Sequence, residues 1–307
     1  MTNYRFPVIF AVCCCFFTTT VLSSDLGTIE LRLYFRNGTH KQVNASKAGE
    51  LVRSLNLQAK TLIHCHGFRQ STDSDDVVSL MKGYLAGSNY NVIAVDYRHV
   101  SYKDYLSAVI LANDVATVIV QSINDMVAAG MNQTKLVASG FSLGAQICGV
   151  IGRKLPFELP EIIAGDPAGP LFYFFDKSIS ASDATCVKCI HTDMRFYGTG
   201  DACDYIDFYP NGGSREQPGC LLFSLQDLTN SCSHSRAEKY MIEAARHPNA
   251  FPSVKCDSWD DFKNGKCNRN IITPMGESAR CSVTGKFYLQ TNSASPFAKG
   301  SAGTFYH

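Results

Sequence analysis

The sequence predicts an α/β fold, a central and mostly parallel sheet flanked by helices. Three observations carry this reading: short β-rich runs alternate with helical stretches, the inner runs are apolar on both faces, and a sharp turn between small residues joins one strand to the next helix. Taken in order, Ile29 to Phe35 alternates apolar and charged residues, the pattern of an edge strand. Thr61 to His66 and Val92 to Asp96 are β-rich runs bounded by Gly, Asn and Arg, as expected of inner strands buried on both faces. Asp75 to Leu85 places apolar residues at helical spacing, and Tyr105 to Val127 carries a longer amphipathic pattern running up to Gly130. Lys135 to Ala138 reads as another strand, followed by the sharp turn and a helix to about Leu155. Ile162, Ile163 and Ala164 form a short apolar strand closed by Asp166. From Cys186 onward the pattern is irregular, with turns at Tyr209-Pro-Asn-Gly-Gly213 and Gln217-Pro-Gly-Cys220, and helix resumes over Ser233 to Arg246. No repeat, low-complexity tract or linker interrupts the chain, which predicts one domain over 24–307.

The 307 residues are 45% hydrophobic, enough apolar surface for a sizeable core. With 28 basic and 27 acidic residues the formal net charge is +1, so no global field draws the chain to nucleic acid or to an anionic membrane. In the first two dozen residues Arg5 is the only charge, Phe6 to Phe17 is almost wholly apolar, and Thr18 to Ser24 is small and polar. That pattern predicts a signal peptide over 1–23, cleaved after Ser23 or Ser24, and a secreted, extracellular protein. No later stretch reads as a membrane span. Beyond the leader the cysteines are Cys65, Cys148, Cys186, Cys189, Cys203, Cys220, Cys232, Cys256, Cys267 and Cys281. In an oxidising compartment these should mostly form disulfides and staple the C-terminal half. Cys186 and Cys189 have zinc-like spacing but lack a second ligand pair, so no metal is expected. Asn37, Asn44 and Asn132 begin glycosylation sequons, which fits secretion.

The strongest motif is Gly140-Phe141-Ser142-Leu143-Gly144, between a strand and a helix. A serine nucleophile needs its oxygen exposed on a strained strand-to-helix turn, and small residues two positions away on either side let strand and helix pass closely; this is the nucleophile elbow of the α/β-hydrolase fold. The hydroxyl attacks only when a histidine takes its proton, and a carboxylate must hold that histidine in one tautomer. In this fold the chain order is Ser, acid, His. Asp166 closes a strand and so lies at the same sheet edge as Ser142, although Asp-Pro is also a common turn start. Among eight histidines, His40, His99, His247 and His307 read as surface residues. His64, His66 and His191 read as hydrogen-bonded structural residues. His234 lies downstream of the acid, beside Cys232 and just before a helix, where a base would gain rigidity.

These residues resemble the pancreatic lipase-like family of animal lipases and phospholipases A1. The matching stretches run in order from His66-Gly-Phe68 and Val95-Asp-Tyr97 through the serine motif, Asp166-Pro-Ala-Gly-Pro170, Ile190-His-Thr-Asp193, Asp207-Phe-Tyr-Pro-Asn-Gly-Gly213 and Gln217-Pro-Gly-Cys220 to Cys232-Ser-His-Ser-Arg-Ala237, Cys256-Asp-Ser-Trp259 and Phe287-Tyr-Leu289. The resemblance places Ser142, Asp166 and His234 on the family's triad and the backbone N–H groups of Phe68 and Leu143 on its oxyanion hole. It implies no cofactor. The chain ends soon after the catalytic domain, so the C-terminal β-sandwich domain of larger members is not expected. Of the residues matching a structural calcium site in some relatives Asp183 remains, while Phe175, Ser178 and Ser180 replace better ligands.

Loop closure and the family's spacing pair Cys220 with Cys232 and Cys256 with Cys267, and leave Cys186, Cys189, Cys203 and Cys281 unassigned. The pairing of Cys65 and Cys148 is likewise left open; an inner-strand and a nucleophile-helix position make buried thiols one outcome for them. The lid implied by the resemblance is the short loop between Cys220 and Cys232, and the loop from Met194 to Tyr205 is also brief. Members of the resembled family with both loops abbreviated are typically phospholipases A1, so the resemblance implies that activity, with a triacylglycerol lipase as the alternative and a non-catalytic yolk or lipid-binding protein as the remote one. In the lid, Leu221, Leu222, Phe223, Leu225 and Leu228 offer an apolar patch for peripheral contact with a lipid–water interface. The expected partner is therefore a phospholipid or glyceride, met by a monomer, with no nucleic acid.

Overall fold

The computed structural model describes residues 25–172, 178–220 and 231–307. The expected signal peptide, Phe175, and the lid residues Leu221, Leu222, Phe223, Leu225 and Leu228 lie outside the described residues. The strands are β1 (Glu30–Tyr34), β2 (His40–Asn44), β3 (Thr61–Cys65), β4 (Asn91–Asp96), β5 (Leu136–Phe141), β6 (Glu161–Gly165), β7 (Cys186–Ile190), β8 (Ile206–Pro210), β9 (Pro252–Lys255), β10 (Ile272–Pro274) and β11 (Gly285–Leu289). They form one sheet in the order β10-β9-β11-β8-β7-β6-β5-β3-β4-β1-β2. From β11 through β4 every pairing is parallel, and the two pairs at each edge are antiparallel.

Two expectations need correction here. Ile29 to Phe35 was expected at an edge, yet β1 pairs with β4 on one side and β2 on the other. The true edge is β2, whose HKQVN sequence lacks a buried face and so carries no apolar alternation. The region after Cys186 was expected to be irregular, yet it supplies five strands. They are three to five residues long and are set among disulfide-closed loops, which interrupt the strand–helix alternation that marks the earlier chain.

The helices are α1 (Asp75–Gly87), α2 (Arg98–Ser101), α3 (Tyr105–Ala128), α4 (Leu143–Lys154), α5 (Cys232–Arg246) and α6 (Trp259–Lys263). Successive strand residues face opposite sides, so the sheet feeds two cores. Ile63, Ile93 and Ala138 pack under α3 and α4, and Leu62, Val92 and Val137 pack under α1 and α5. By length and composition α3 would suit a membrane span, contrary to expectation. Its apolar residues have another partner: Ala108, Leu111, Val115, Ile119 and Met126 are buried against the sheet, α4 and the 3-10 segment Ala45–Ser54.

Four disulfides form among the described residues: Cys186–Cys281, Cys189–Cys203, Cys220–Cys232 and Cys256–Cys267. Cys65 and Cys148 are free and buried. The strand order reverses direction between β3 and β5, and the crevice outside the carboxyl ends of strands at such a point is where open α/β sheets bind ligands.

Candidate active site

Ser142 sits between β5 and α4 with φ 55° and ψ −117°, a backbone region that costs an L-residue on the order of 1–3 kcal/mol. Its backbone is held from both sides: Ser142 N donates to Gly165 O at 2.9 Å, and Ser142 O accepts from Ala168 N at 3.1 Å as well as from Ala145 N at 3.1 Å in the first turn of α4. The flanking glycines are explained by clearance. A Cβ on Gly140 would lie 2.4 Å from the Gly144 carbonyl, and one on Gly144 would lie 2.0 Å from Cys65 O. The elbow therefore brings α4 against the end of β3, where the next part of the site begins.

The structure brings the three residues of the expected triad into one line. Ser142 Oγ lies 2.8 Å from His234 Nε2, and His234 Nδ1 lies 2.6 Å from Asp166 Oδ2. A carboxylate accepts, so Nδ1 carries the proton and Nε2 is left with its lone pair facing the serine hydroxyl. Asp166 is fully buried, while Ser142 and His234 reach the surface at 6% and 7% exposure. The second carboxylate oxygen of Asp166 accepts from Thr192 N at 2.8 Å and Asp193 N at 3.2 Å.

The loop after β7 thus orients Asp166, and it also touches His234, since Thr192 Oγ1 donates to His234 O at 3.3 Å. Asp193 is itself held by Arg215, whose Nη2 lies 2.9 Å from Asp193 Oδ2. Burial pushes the Asp193 carboxyl up, and the Arg215 guanidinium works against that shift. Nothing local in the sequence marks Thr192, Asp193 or Arg215 for this role, although Thr192 and Asp193 lie within the matching stretch Ile190-His-Thr-Asp193. Gly198 was missed as well: a Cβ there would lie 2.6 Å from Asp166 Oδ1.

The expected oxyanion donors flank the serine. Leu143 is the first residue of α4, where helix N–H groups are free and the helix dipole is positive. Phe68 lines the cleft with Ser142. No carbonyl or side chain among the described residues takes either N–H. The Phe68 N–H shares a peptide plane with Gly67 O, which accepts from His66 Nδ1 at 3.0 Å and from Gln70 N at 3.3 Å. Because a trans peptide points its N–H opposite its C=O, fixing that carbonyl inward fixes the N–H away from it. His66 is thereby a structural histidine, as expected, but one that aims an N–H. Its pKa is lowered to about 4, chiefly by burial.

His64 bonds Ser139 Oγ at 3.1 Å and His191 bonds Asp207 Oδ1 at 2.7 Å. Asp183, which the resemblance matches to a calcium site, instead accepts from Arg153 Nη1 at 2.6 Å and from Ser180 N at 2.9 Å. Cys186 and Cys189, the zinc alternative, are each spent in a disulfide with a different partner.

The cleft over Ser142 encloses about 690 Å³. Its walls include Phe68, Tyr105, Phe141, Pro170 and Tyr197, an apolar lining suited to an acyl chain. Tyr105 packs edge-on against Phe68 at 5.1 Å, and its hydroxyl donates to Pro170 O at 3.0 Å. The only charged side chain on the described lining is Arg69, whose guanidinium lies over the Phe68 ring at 5.6 Å from its centroid.

The sequence profile of the Lipase family matches residues 19–297. Lipase member H of Mus musculus is 32% identical over 267 residues, covering 85% of this chain and 57% of its own. Phospholipase A1 of Vespa crabro is 34% identical over 255 residues, covering 76% of this chain and 81% of its own. Pancreatic lipase-related protein 2 of Bos taurus is 31% identical over 281 residues, with 80% and 59% covered. The chain spans little more than half the length of the first of these relatives.

Proposed function

From the premise that this chain belongs to the Lipase family, we propose that it is a secreted serine carboxylic ester hydrolase that releases fatty acid from glycerolipids, acting as a phospholipase A1 on the sn-1 acyl ester. The observation that carries the proposal is the Ser142–His234–Asp166 line at the floor of an apolar cleft. Ser142 Oγ attacks the ester carbonyl while His234 Nε2 takes its proton, and Asp166 holds the ring for that transfer. The tetrahedral oxygen gains its negative charge beside the Phe68 and Leu143 N–H groups; losing one such donor typically costs about 2.7–4 kcal/mol. His234 then hands the proton to the departing lysolipid alcohol, which leaves an acyl-serine. Water attacks the acyl group with the same base, and the fatty acid departs.

Two observations favour a phospholipid over a triglyceride. Arg69 places a cation at the cleft with no carboxylate on the described lining, which suits a phosphodiester and does nothing for an uncharged glyceride. The Vespa crabro relative, whose length this chain covers most fully among the three, is named for phospholipase A1 activity. The triacylglycerol reading remains the alternative, supported by the pancreatic lipase-related relative. The presence of Ser142, Asp166 and His234 in bonding geometry argues against a non-catalytic yolk-type protein.

Secretion is supported by the four disulfides and by exposed Asn37 and Asn132 in sequons, with Asn44 half-buried. The proposed partner is a lipid–water interface approached by a monomer. The test is the initial rate on phosphatidylcholine labelled separately at its two acyl positions, beside triolein. Release chiefly from the sn-1 position is expected; faster release from triolein would select the alternative.

A further inference from the structure

Glu238 is a buried acid that the mechanism above does not use. It stands on α5 four residues after His234, so it lies one turn along on the same face of that helix. At 1% exposure it is out of water, and its Oε1 has no hydrogen-bond partner. Its other oxygen accepts from Gln70 Nε2 at 2.7 Å. The opposite end of that amide, Gln70 Oε1, accepts from Gly67 N at 2.6 Å. Gly67 begins the turn that presents the Phe68 N–H, and a Cβ on Gly67 would lie 3.0 Å from this same Gln70 oxygen.

The turn has other ties: Arg69 N donates to Ser101 O at 3.0 Å, and Ser101 Oγ donates to Gln70 O at 2.7 Å. Those ties run to the end of α2, away from the catalytic base. Only the Gln70 side chain joins the oxyanion turn to the helix that carries His234, among the bonds of the described residues. An apolar residue at position 238 would be cheaper to bury, because a carboxyl with an unmatched oxygen loses hydration without full return. Burial pushes the Glu238 carboxyl up to about 8, with the Asp76 charge adding to the shift, and with Gln70 and Lys239 opposing it. The neutral acid keeps an oxygen free to accept from Gln70.

We propose that Gln70 and Glu238 are positioning residues, a hydrogen-bonded bridge that fixes the oxyanion turn to the base-bearing helix so that Phe68 N–H and His234 hold one geometry through the reaction. The inference rests on the esterase reading above. In full-chain protein assayed on a soluble p-nitrophenyl ester, Gln70→Ala and Glu238→Leu are each expected to lower kcat at least tenfold with KM changed less than threefold. Affinity for a trifluoromethyl ketone, which forms the tetrahedral oxyanion on the serine, should fall in proportion. Glu238→Gln, whose amide oxygen accepts the same bond, should stay within about threefold of wild type.

The double variant Gln70→Ala with Glu238→Leu should be no slower than the worse single variant, because both remove one bridge. If Glu238→Leu fails to fold, Gln70→Ala and Glu238→Gln carry the test alone. Unchanged kcat and ketone affinity in Gln70→Ala, or losses that multiply in the double variant, would overturn the bridge while leaving an active wild type and the esterase reading intact. A wild type without esterase activity would overturn both.

Discussion

Asp166 shows how a single carboxylate is placed by residues that have no chemistry of their own. Its φ is 37°, its N–H donates to Ile190 O at 2.7 Å, and the backbone of Gly198 closes over its side chain. Gly198→Ala is expected to push that carboxylate off its line with His234 and to lower kcat roughly a hundredfold, the cost of a misplacement near 1 Å. Steady-state kinetics beside a melting curve checks this; unchanged kcat would show that the loop yields instead. Gly140 and Gly144 were legible in the sequence because they flank the serine at fixed spacing. Gly198 was not, since its partner lies in another segment and a contact between distant segments leaves no local pattern. The same is true of Arg215, which supports Asp193 and reads in the sequence as one surface charge among many.

At the scale of elements, β3 and the residue that follows it carry two buried histidines, His64 and His66, that stay neutral. The pKa of His64 is lowered to about 3, by burial first and by neighbouring His66 second, and that of His66 is lowered to about 4. In the unfolded chain both would titrate near 6.5. Between those values the unfolded state binds more protons than the folded one, so stability falls as pH drops from about 6.5 towards 4 and is unaffected by these groups above that window. His64→Asn, which keeps a polar atom for Ser139, is expected to melt at a temperature less sensitive to pH across that range than wild type does. Identical slopes from pH 7 to 4 would contradict it. The core strands β3, β4 and β5 and helices α1, α3, α4 and α5 were legible because burial on two faces, or on one helical face, writes a period into the sequence. β2 and the strands after β7 were not, because a solvent-facing edge writes no apolar alternation and disulfide-closed loops interrupt the strand–helix alternation that marks the earlier chain.

Over the whole molecule, the disulfides tie the later strands to each other and to the parallel core. Cys186–Cys281 joins the start of β7 to the approach to β11 across a separation of 95 residues, whereas Cys256–Cys267 spans 11. Loop-closure entropy in the unfolded chain grows with length, giving about 4–5 kcal/mol for the long loop and about 3 kcal/mol for the short one. Replacing Cys186 and Cys281 by Ala should therefore lower the unfolding free energy in denaturant more than replacing Cys256 and Cys267, and equal losses would contradict that ranking. Spacing within the sequence could suggest the short loops, but nothing local links Cys186 to Cys281, which meet only after the sheet forms. The parallel sheet, the elbow at its reversal point and the cleft above it all converge on one hydroxyl. The most direct test of that convergence is labelling of the intact protein with a fluorophosphonate, followed by peptide mass spectrometry. A single adduct on Ser142, lost in His234→Ala, is the expected result; no adduct, or an adduct on another serine, would contradict the account.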